Sequence, residues 1–252
     1  MYRFNPLRRA IALCFFYHAL QAKGVRFFPT IEEENDSLAK DFVHGPAKQI
    51  LKRQGSSSWD DPYINPDHYG DSHPHFYTRW TRDNYDATGC YNMDCPGYIR
   101  VDGAVIAPGD AIHPVSNVPN GPRQSITLRV LKDKRSGDWW VYYGFNKIPT
   151  GVGYFPRSLF SYLAEKADGM QFGAFVKSQK ALPTPPMGNG ALPNGGKGHA
   201  ALFTDIRFID QDGNSSPIKE DLPMFVTDKK CHSITHIVHA ECFYGGPGGC
   251  MR

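Results

Sequence analysis

Long apolar runs, long helical patterns and one-sided charge are all missing from this 252-residue chain. No stretch reaches the roughly 18 apolar residues that a membrane-crossing helix requires, so no membrane span is expected. Lysine and arginine number 28 against 25 aspartates and glutamates, a formal net charge of +3. A nucleic-acid binder would want a concentrated basic face, and none is legible. The densest basic stretch, Lys132 to Arg135, is interrupted by Asp133 and reads as the solvated turn of a hairpin. Serine, histidine and aspartate are all present, but no Gly-x-Ser-x-Gly elbow occurs. The Asp210-Gln-Asp-Gly-Asn214 run lacks the ligand spacing and the closing glutamate of a calcium loop. No repeat at a fixed period is apparent. Glutamate is absent altogether between Asn35 and Glu165.

Turn formers and core formers are plentiful instead. Glycine (25) and proline (20) accompany 40% hydrophobic and 13% aromatic residues. Many turns between short strands is the natural consequence. Ile126-Thr-Leu-Arg-Val130 alternates strictly, as a half-buried strand should, and faces Trp139-Trp-Val-Tyr-Tyr143 across a polar loop. The two runs are expected to pair antiparallel. Ile99 to Ile112 holds short extended runs broken by Asp102-Gly103 and Pro108-Gly109, the first a hairpin signal. Extended character is also expected over Phe172 to Val176, Ala201 to Ile209 and Met224 to Val226. One helix is expected, opened by Pro156-Arg-Ser158, carrying Leu159, Phe160 and Leu163, and ended by Gly169. Leu182 to Gly198 reads as a long loop, of the kind that often lines binding sites. The fold class is all-β, an antiparallel β-sandwich of two packed sheets with one short helix.

The compartment is read from both ends of the chain. A basic opening, Met1 to Arg9, precedes the apolar run Ala10 to Leu20, which is the grammar of a signal peptide over residues 1–22. The same stretch also reads as an ordinary buried N-terminal segment. Residues 23–58 have little pattern, and Gln54-Gly-Ser-Ser-Ser58 is linker-like. The patterned domain is placed at residues 59–252. Six cysteines occur, and the close pairs 90/95 and 231/250 suit disulfides in an oxidising compartment. His232, His236 and His239 lie near Cys231, yet the adjacency Cys231-His232 suits no common zinc module. Cys242 is left over. One glycosylation sequon, Asn214-Ser-Ser216, falls in an expected exposed loop. Secretion is the expected localisation.

From Tyr69 onward a ladder of motifs resembles a known family. It begins Tyr69-Gly70-Asp71, then Phe76, Trp80-Thr81, Asp83, Tyr85, Thr88-Gly89-Cys90-Tyr91-Asn92, Cys95 and Gly97-Tyr98. Gly137-x-Trp139-Trp140, Val152-Gly-Tyr-Phe-Pro156 with Leu159-Phe160, Met187-Gly188-x-Gly190 and Ala200-Ala201 follow in order. The C-terminal Phe243-Tyr-Gly-Gly-Pro-Gly248-x-Cys250 completes it. The ladder resembles the plant-type neprosin family over about residues 60–252. The resemblance implies an antiparallel β-sandwich, secretion, and the disulfides Cys90–Cys95 and Cys231–Cys250. It implies a glutamic endopeptidase that cuts after proline in acid, acting on a proline-containing peptide or protein, without a cofactor. The family's N-terminal pro-segment finds no convincing match in this sequence.

The same resemblance puts that chemistry in doubt. Two carboxylates must flank one water, one as base and one as proton donor. The family's second catalytic glutamate sits in a Gly-Gly-Glu-Val-like block, which here reads Gln171-Phe-Gly-Ala-Phe175-Val176. Phe175 stands at the glutamate position, and a phenyl ring transfers no proton. The first glutamate is expected near Trp59 and Asp60, where none occurs. Asp60, Asp61 and Glu241 are the weak substitutes, Asp60 and Asp61 having arms shorter than that of glutamate. No catalytic glutamate is expected to be intact. An aromatic-rich, non-catalytic sandwich that binds peptide or carbohydrate is the alternative function.

Two further constellations remain. His68, His73 and His75 lie near Asp67 and Asp71, donor types that suit zinc. Their place at a loop–strand junction reads better as surface histidines, and no metal is expected. Trp80, Trp139, Trp140, Tyr142 and Tyr143 read chiefly as core and flank packing of paired strands, with a sugar or peptide platform as the other use.

Overall fold

The computed structural model describes residues 10–13, 69–71, 73–82, 87–116, 121–161, 163–167, 183–184, 186–188, 190–195, 200–210, 212–219, 222–226 and 228–251. The strands are β1 (Ala10–Leu13), β2 (Arg79–Trp80), β3 (Cys90–Tyr91), β4 (Ile99–Arg100), β5 (Ile126–Lys132) and β6 (Trp139–Phe145). They continue with β7 (Thr150–Phe155), β8 (Ala201–Phe203), β9 (Arg207–Asp210), β10 (Ser215–Pro217), β11 (Ser233–Ile234) and β12 (Cys242–Gly245). Every strand pairing is antiparallel. The all-β antiparallel class expected from the turn-rich composition is therefore correct.

A four-stranded sheet in the order β4-β7-β6-β5 carries Trp139, Trp140, Tyr142, Tyr143, Phe145, Tyr154 and Phe155. β5 and β6 pair along their whole length, from Ile126 opposite Phe145 to Lys132 opposite Trp139, as the alternation of apolar and polar residues requires. Their connection is a polar turn in which Asp133 accepts the backbone N–H groups of Arg135 and Ser136. Lys134 reaches Asp212 at 2.7 Å, so the basic stretch is a solvated turn as expected. One face of this sheet enters the principal core. Trp139, Val141, Tyr143, Val152 and Phe155 pack there with Phe76, Tyr98, Ile112 and Phe160.

Trp139 is 1% exposed, and its indole N–H still has a partner, donating to the Leu163 carbonyl at 2.9 Å. Gly153 lets the Tyr98 ring lie against the sheet, because a Cβ at that position would overlap the ring. Phe155 braces Tyr98 from the side in a T-shaped contact at 5.1 Å.

A second core gathers Met187, Ala201, Phe203, Ile206, Ile218, Ala240, Cys242 and Tyr244 around the sheet β11-β12-β8. Phe203 stacks on Tyr244 at 4.6 Å. A third sheet has the order β1-β9-β10. Its β1 runs through the stretch whose sequence has signal-peptide grammar, with Ala10 opposite Asp210.

Three local expectations need correction. The helix after Pro156 is a single 3-10 turn, Arg157–Leu159, followed by extended backbone at Phe160. Arg157 explains the early stop. Its N–H goes to Asp138, its guanidinium donates to the Ala164 carbonyl and pairs with Glu165, and Phe160 and Leu163 enter the core without a helical ladder. The Ala201 to Ile209 run is two strands, broken where Asp205 adopts a left-handed φ of 52°. Leu222 to Val226 forms no strand, and Phe225 is 56% exposed. Among the described residues no strand pairs with it, so its β-forming composition joins no ladder.

Candidate functional site

Phe175, Trp59, Asp60 and Asp61 lie outside the described residues. Among the described residues the glutamates are Glu165 and Glu241. Glu165 is exposed and ion-paired with Arg157 beside the principal core. Glu241 is half-buried beside the second core, and its Oε1 accepts from the Thr204 hydroxyl at 2.9 Å. Each carboxylate serves a different part of the fold.

The Tyr69-Gly-Asp71 block builds a polar cluster at the edge of the principal core. His75 is 5% exposed, so the expectation of a surface histidine fails for it. Its Nδ1 donates to the Gly109 carbonyl at 2.6 Å, and its Nε2 faces Asp71 Oδ1 at 3.0 Å. The Tyr69 ring stacks flat on the imidazole, 3.8 Å between centroids and 4° from parallel. Asn92 finishes the cluster from a left-handed backbone position, φ 46°. Its amide donates to the Tyr69 hydroxyl at 2.9 Å and its carbonyl oxygen accepts the Thr78 N–H at 3.0 Å.

The electrostatics follow from these contacts. Asp71 is held down at about 2, first by the backbone N–H of His73 and next by the His75 ring. Burial pushes the Tyr69 phenol up to about 12, against the Asn92 hydrogen bond. His73 is exposed, 3.4 Å from Asp71, and packs edge-on against His113 at 4.7 Å. His68 and Asp67 lie outside the described residues. The cluster centres on Asp71, whose Oδ1 accepts the His73 N–H at 2.7 Å and faces the His75 ring at 3.0 Å. It ties the Tyr69 block to the turn at Gly109, and offers no pair of carboxylates around a water.

Among the described residues no cysteine offers an exposed thiol. Cys90–Cys95 and Cys231–Cys250 are disulfides, the pairing the family resemblance implies. Among the described residues the one grouping of metal-ligand type is Asp228 with Cys231 and Cys250, and both of its sulfurs are spent in a disulfide. Cys242 is a buried free thiol whose pKa burial pushes up to about 12. Asn214 is exposed on the β9–β10 turn, its side-chain amide donating to Asp210 at 3.0 Å.

The aromatic residues divide by face. Trp139 and Tyr143 are buried in the principal core, and Trp80 packs against its margin. Trp140, Tyr142 and Tyr154 are half-buried on the opposite face of the same sheet. Sequence reasoning grouped the tryptophans and tyrosines of β6 together; only the register separates them.

Taken together, the architecture is that of a disulfide-bonded antiparallel β-protein with two aromatic-rich cores. None of its described helices is long and apolar enough to cross a membrane. The sequence model of the Neprosin family matches residues 62–247, more than half of the chain. The chain belongs to the neprosin family.

Proposed function

We propose that this domain keeps the peptide-engaging frame of a neprosin-type glutamic endopeptidase but is impaired in its post-proline, acid-dependent cleavage. The observation that carries this reading is Phe175 in the Gln171-Phe-Gly-Ala-Phe-Val176 block, at the place of the second catalytic glutamate. The absence of any glutamate between Asn35 and Glu165 supports it at the first position. Glu241 is a poor substitute, since its carboxylate already accepts from Thr204. Asp60 and Asp61 bring a shorter arm to a reaction that tolerates misplacement of only a fraction of an ångström. Two disulfides and an exposed sequon at Asn214 support a secreted, glycosylated protein.

The test is a fluorogenic peptide with an internal Pro-X bond, incubated with purified, disulfide-intact protein from pH 2 to pH 7. A Phe175→Glu variant runs alongside. No turnover by wild type is expected, with circular dichroism establishing a folded β-protein. Turnover by wild type overturns the reading and requires a second search for the catalytic pair.

A second reading, a non-catalytic binding sandwich, is favoured by one specific observation: the half-buried aromatic rows on the outer face of the four-stranded sheet.

A further inference from the structure

His75 faces two acceptors with its two ring nitrogens. A backbone carbonyl can only accept, so the 2.6 Å contact with the Gly109 oxygen places a proton on Nδ1. Nε2 lies 3.0 Å from Asp71 Oδ1. That carboxyl is held at about 2, first by the His73 backbone N–H and next by the His75 ring, so it is ionised in all but strong acid. A neutral imidazole has one N–H and one lone pair. With Nδ1–H committed to Gly109, a neutral ring would aim its lone pair at a carboxylate. The imidazolium, with an N–H on each nitrogen, meets both acceptors.

Packing holds the ring in this setting. It is buried, and the Tyr69 ring lies flat on it at 3.8 Å, presenting a face that favours a cation. The backbone around it is strapped to the Gly109 turn. His75 bridges Ala111 antiparallel, Phe76 donates to the Asp110 carbonyl at 2.8 Å, and Gly109 donates to the Phe76 carbonyl at 2.6 Å. Ile112 donates to the Pro74 carbonyl at 2.7 Å. These bonds are indifferent to the charge of the ring, whereas the Asp71 contact depends on it. The neighbouring charges stand further out. Exposed His73 lies 3.4 Å from Asp71 and carries His113 edge-on. Asp110, on the Gly109 turn, accepts the Ala107 N–H at 2.7 Å. Asp94, exposed beyond β3, acts on the Tyr69 phenol.

We propose that His75 is a pH-sensitive latch, whose imidazolium clips the Tyr69–Asp71 segment to the Gly109 turn and whose loss of the Nε2 proton to solvent releases it. Histidine is the side chain whose charge changes between about pH 5 and pH 8. Towards the acid end of that range both ring contacts are hydrogen bonds. Towards the alkaline end the Asp71 contact becomes a repulsion between lone pairs, and the segment opens. Tyr69 moves with it, since its ring stacks on His75. The loss reaches Asn92, which donates to the Tyr69 hydroxyl and accepts the Thr78 N–H. Phe76 stays anchored in the principal core, so the opening is confined to the Tyr69 edge. The latch does not depend on the hydrolytic state of the domain.

Two measurements on the intact protein test this. Nitrogen-15 NMR of the imidazole at about pH 5 is expected to show a proton on each His75 nitrogen. A neutral ring protonated at Nδ1 alone overturns the proposal. Hydrogen–deuterium exchange, corrected for the intrinsic pH dependence of the rate, follows the peptide that carries His73, whose N–H donates to Asp71 at 2.7 Å. Its protection is expected to fall at least about fivefold from pH 5 to pH 8, with the β6 peptide unchanged. Asp71→Asn puts an amide, able to donate to a bare Nε2, in place of the carboxylate, and is expected to abolish the fall. His75→Gln has no ring proton to lose and is expected to be equally flat. Circular dichroism melts verify that both variants are folded. Unchanged wild-type protection across the range, or the wild-type fall persisting in either folded variant, overturns the proposal. If neither variant folds, the wild-type NMR reading decides it alone.

Discussion

Removing the Cys231–Cys250 bond is expected to destabilise the domain by about 3 kcal/mol. The bond closes a loop with a sequence separation of 19. In the chain-entropy account, a loop of that size costs the unfolded chain about 3 kcal/mol of freedom at 25 °C. The folded state keeps much of its local order without the bond. Thr184 holds the tail from both sides, its N–H donating to the Cys250 carbonyl at 2.8 Å and its hydroxyl accepting the Cys250 N–H at 3.1 Å. Gly249 donates to the Thr184 carbonyl at 2.7 Å, and Gly246 exchanges hydrogen bonds with Met187. The effect therefore falls chiefly on the unfolded ensemble. A Cys231→Ser, Cys250→Ser double variant is expected to melt about 6–12 °C below wild type. The Cys90–Cys95 loop, with a separation of 5, is worth about 2 kcal/mol by the same relation. Its double serine variant is expected to melt above the other. Thermal melts by circular dichroism with a calorimetric check settle the order. A shift below 2 °C for the long loop, or the reverse order, refutes the reasoning.

The adjacent tryptophans are expected to behave oppositely: Trp139→Ala costs about 3–5 kcal/mol by emptying the core, and Trp140→Ala about 1 kcal/mol, read by urea unfolding. Gly153→Ala is expected to lose about 1–3 kcal/mol, because Tyr98 is pinned by Phe155 and has nowhere to move; an unchanged midpoint refutes that packing. Asp71 lies lower in the folded protein than its ordinary 3.8. Its stabilisation is thus complete above the unfolded value and is lost as pH falls through about 2. With the carboxylate 36% exposed, solvent screening limits its worth to about 1 kcal/mol or less. Asp71→Asn is expected to flatten that part of the acid denaturation curve. Cys242 is expected to resist iodoacetamide at pH 8 until the protein is unfolded, as peptide mapping by mass spectrometry would show.

Strict alternation made the β5–β6 hairpin legible, because a period of two has only one structural solution with a half-buried sheet. The motif ladder made the family and both disulfide pairings legible, whereas six cysteines alone allow 15 pairings. The helix after Pro156 was misread because Leu159, Phe160 and Leu163 have helical spacing. One 3-10 turn, with extended backbone at Phe160 and a turn beginning at Leu163, delivers both side chains to the core equally well. Burial of His75 had no sequence signal, since its acceptor is a backbone carbonyl 34 residues away.

The sequence by itself determined that adjacent Trp139 and Trp140 must point to opposite sides of a sheet, because side chains alternate along a strand. It also carries the proposal that Phe175 stands in place of the family's second catalytic glutamate, a phenyl ring having no proton to transfer. The tertiary structure decided which tryptophan is buried. Phe76, Tyr98 and Ile112 come from distant segments to cover the Trp139 face, leaving Trp140, Tyr154 and Arg129 on the other. That choice rests on long-range packing, and local alternation treats both faces of the strand alike.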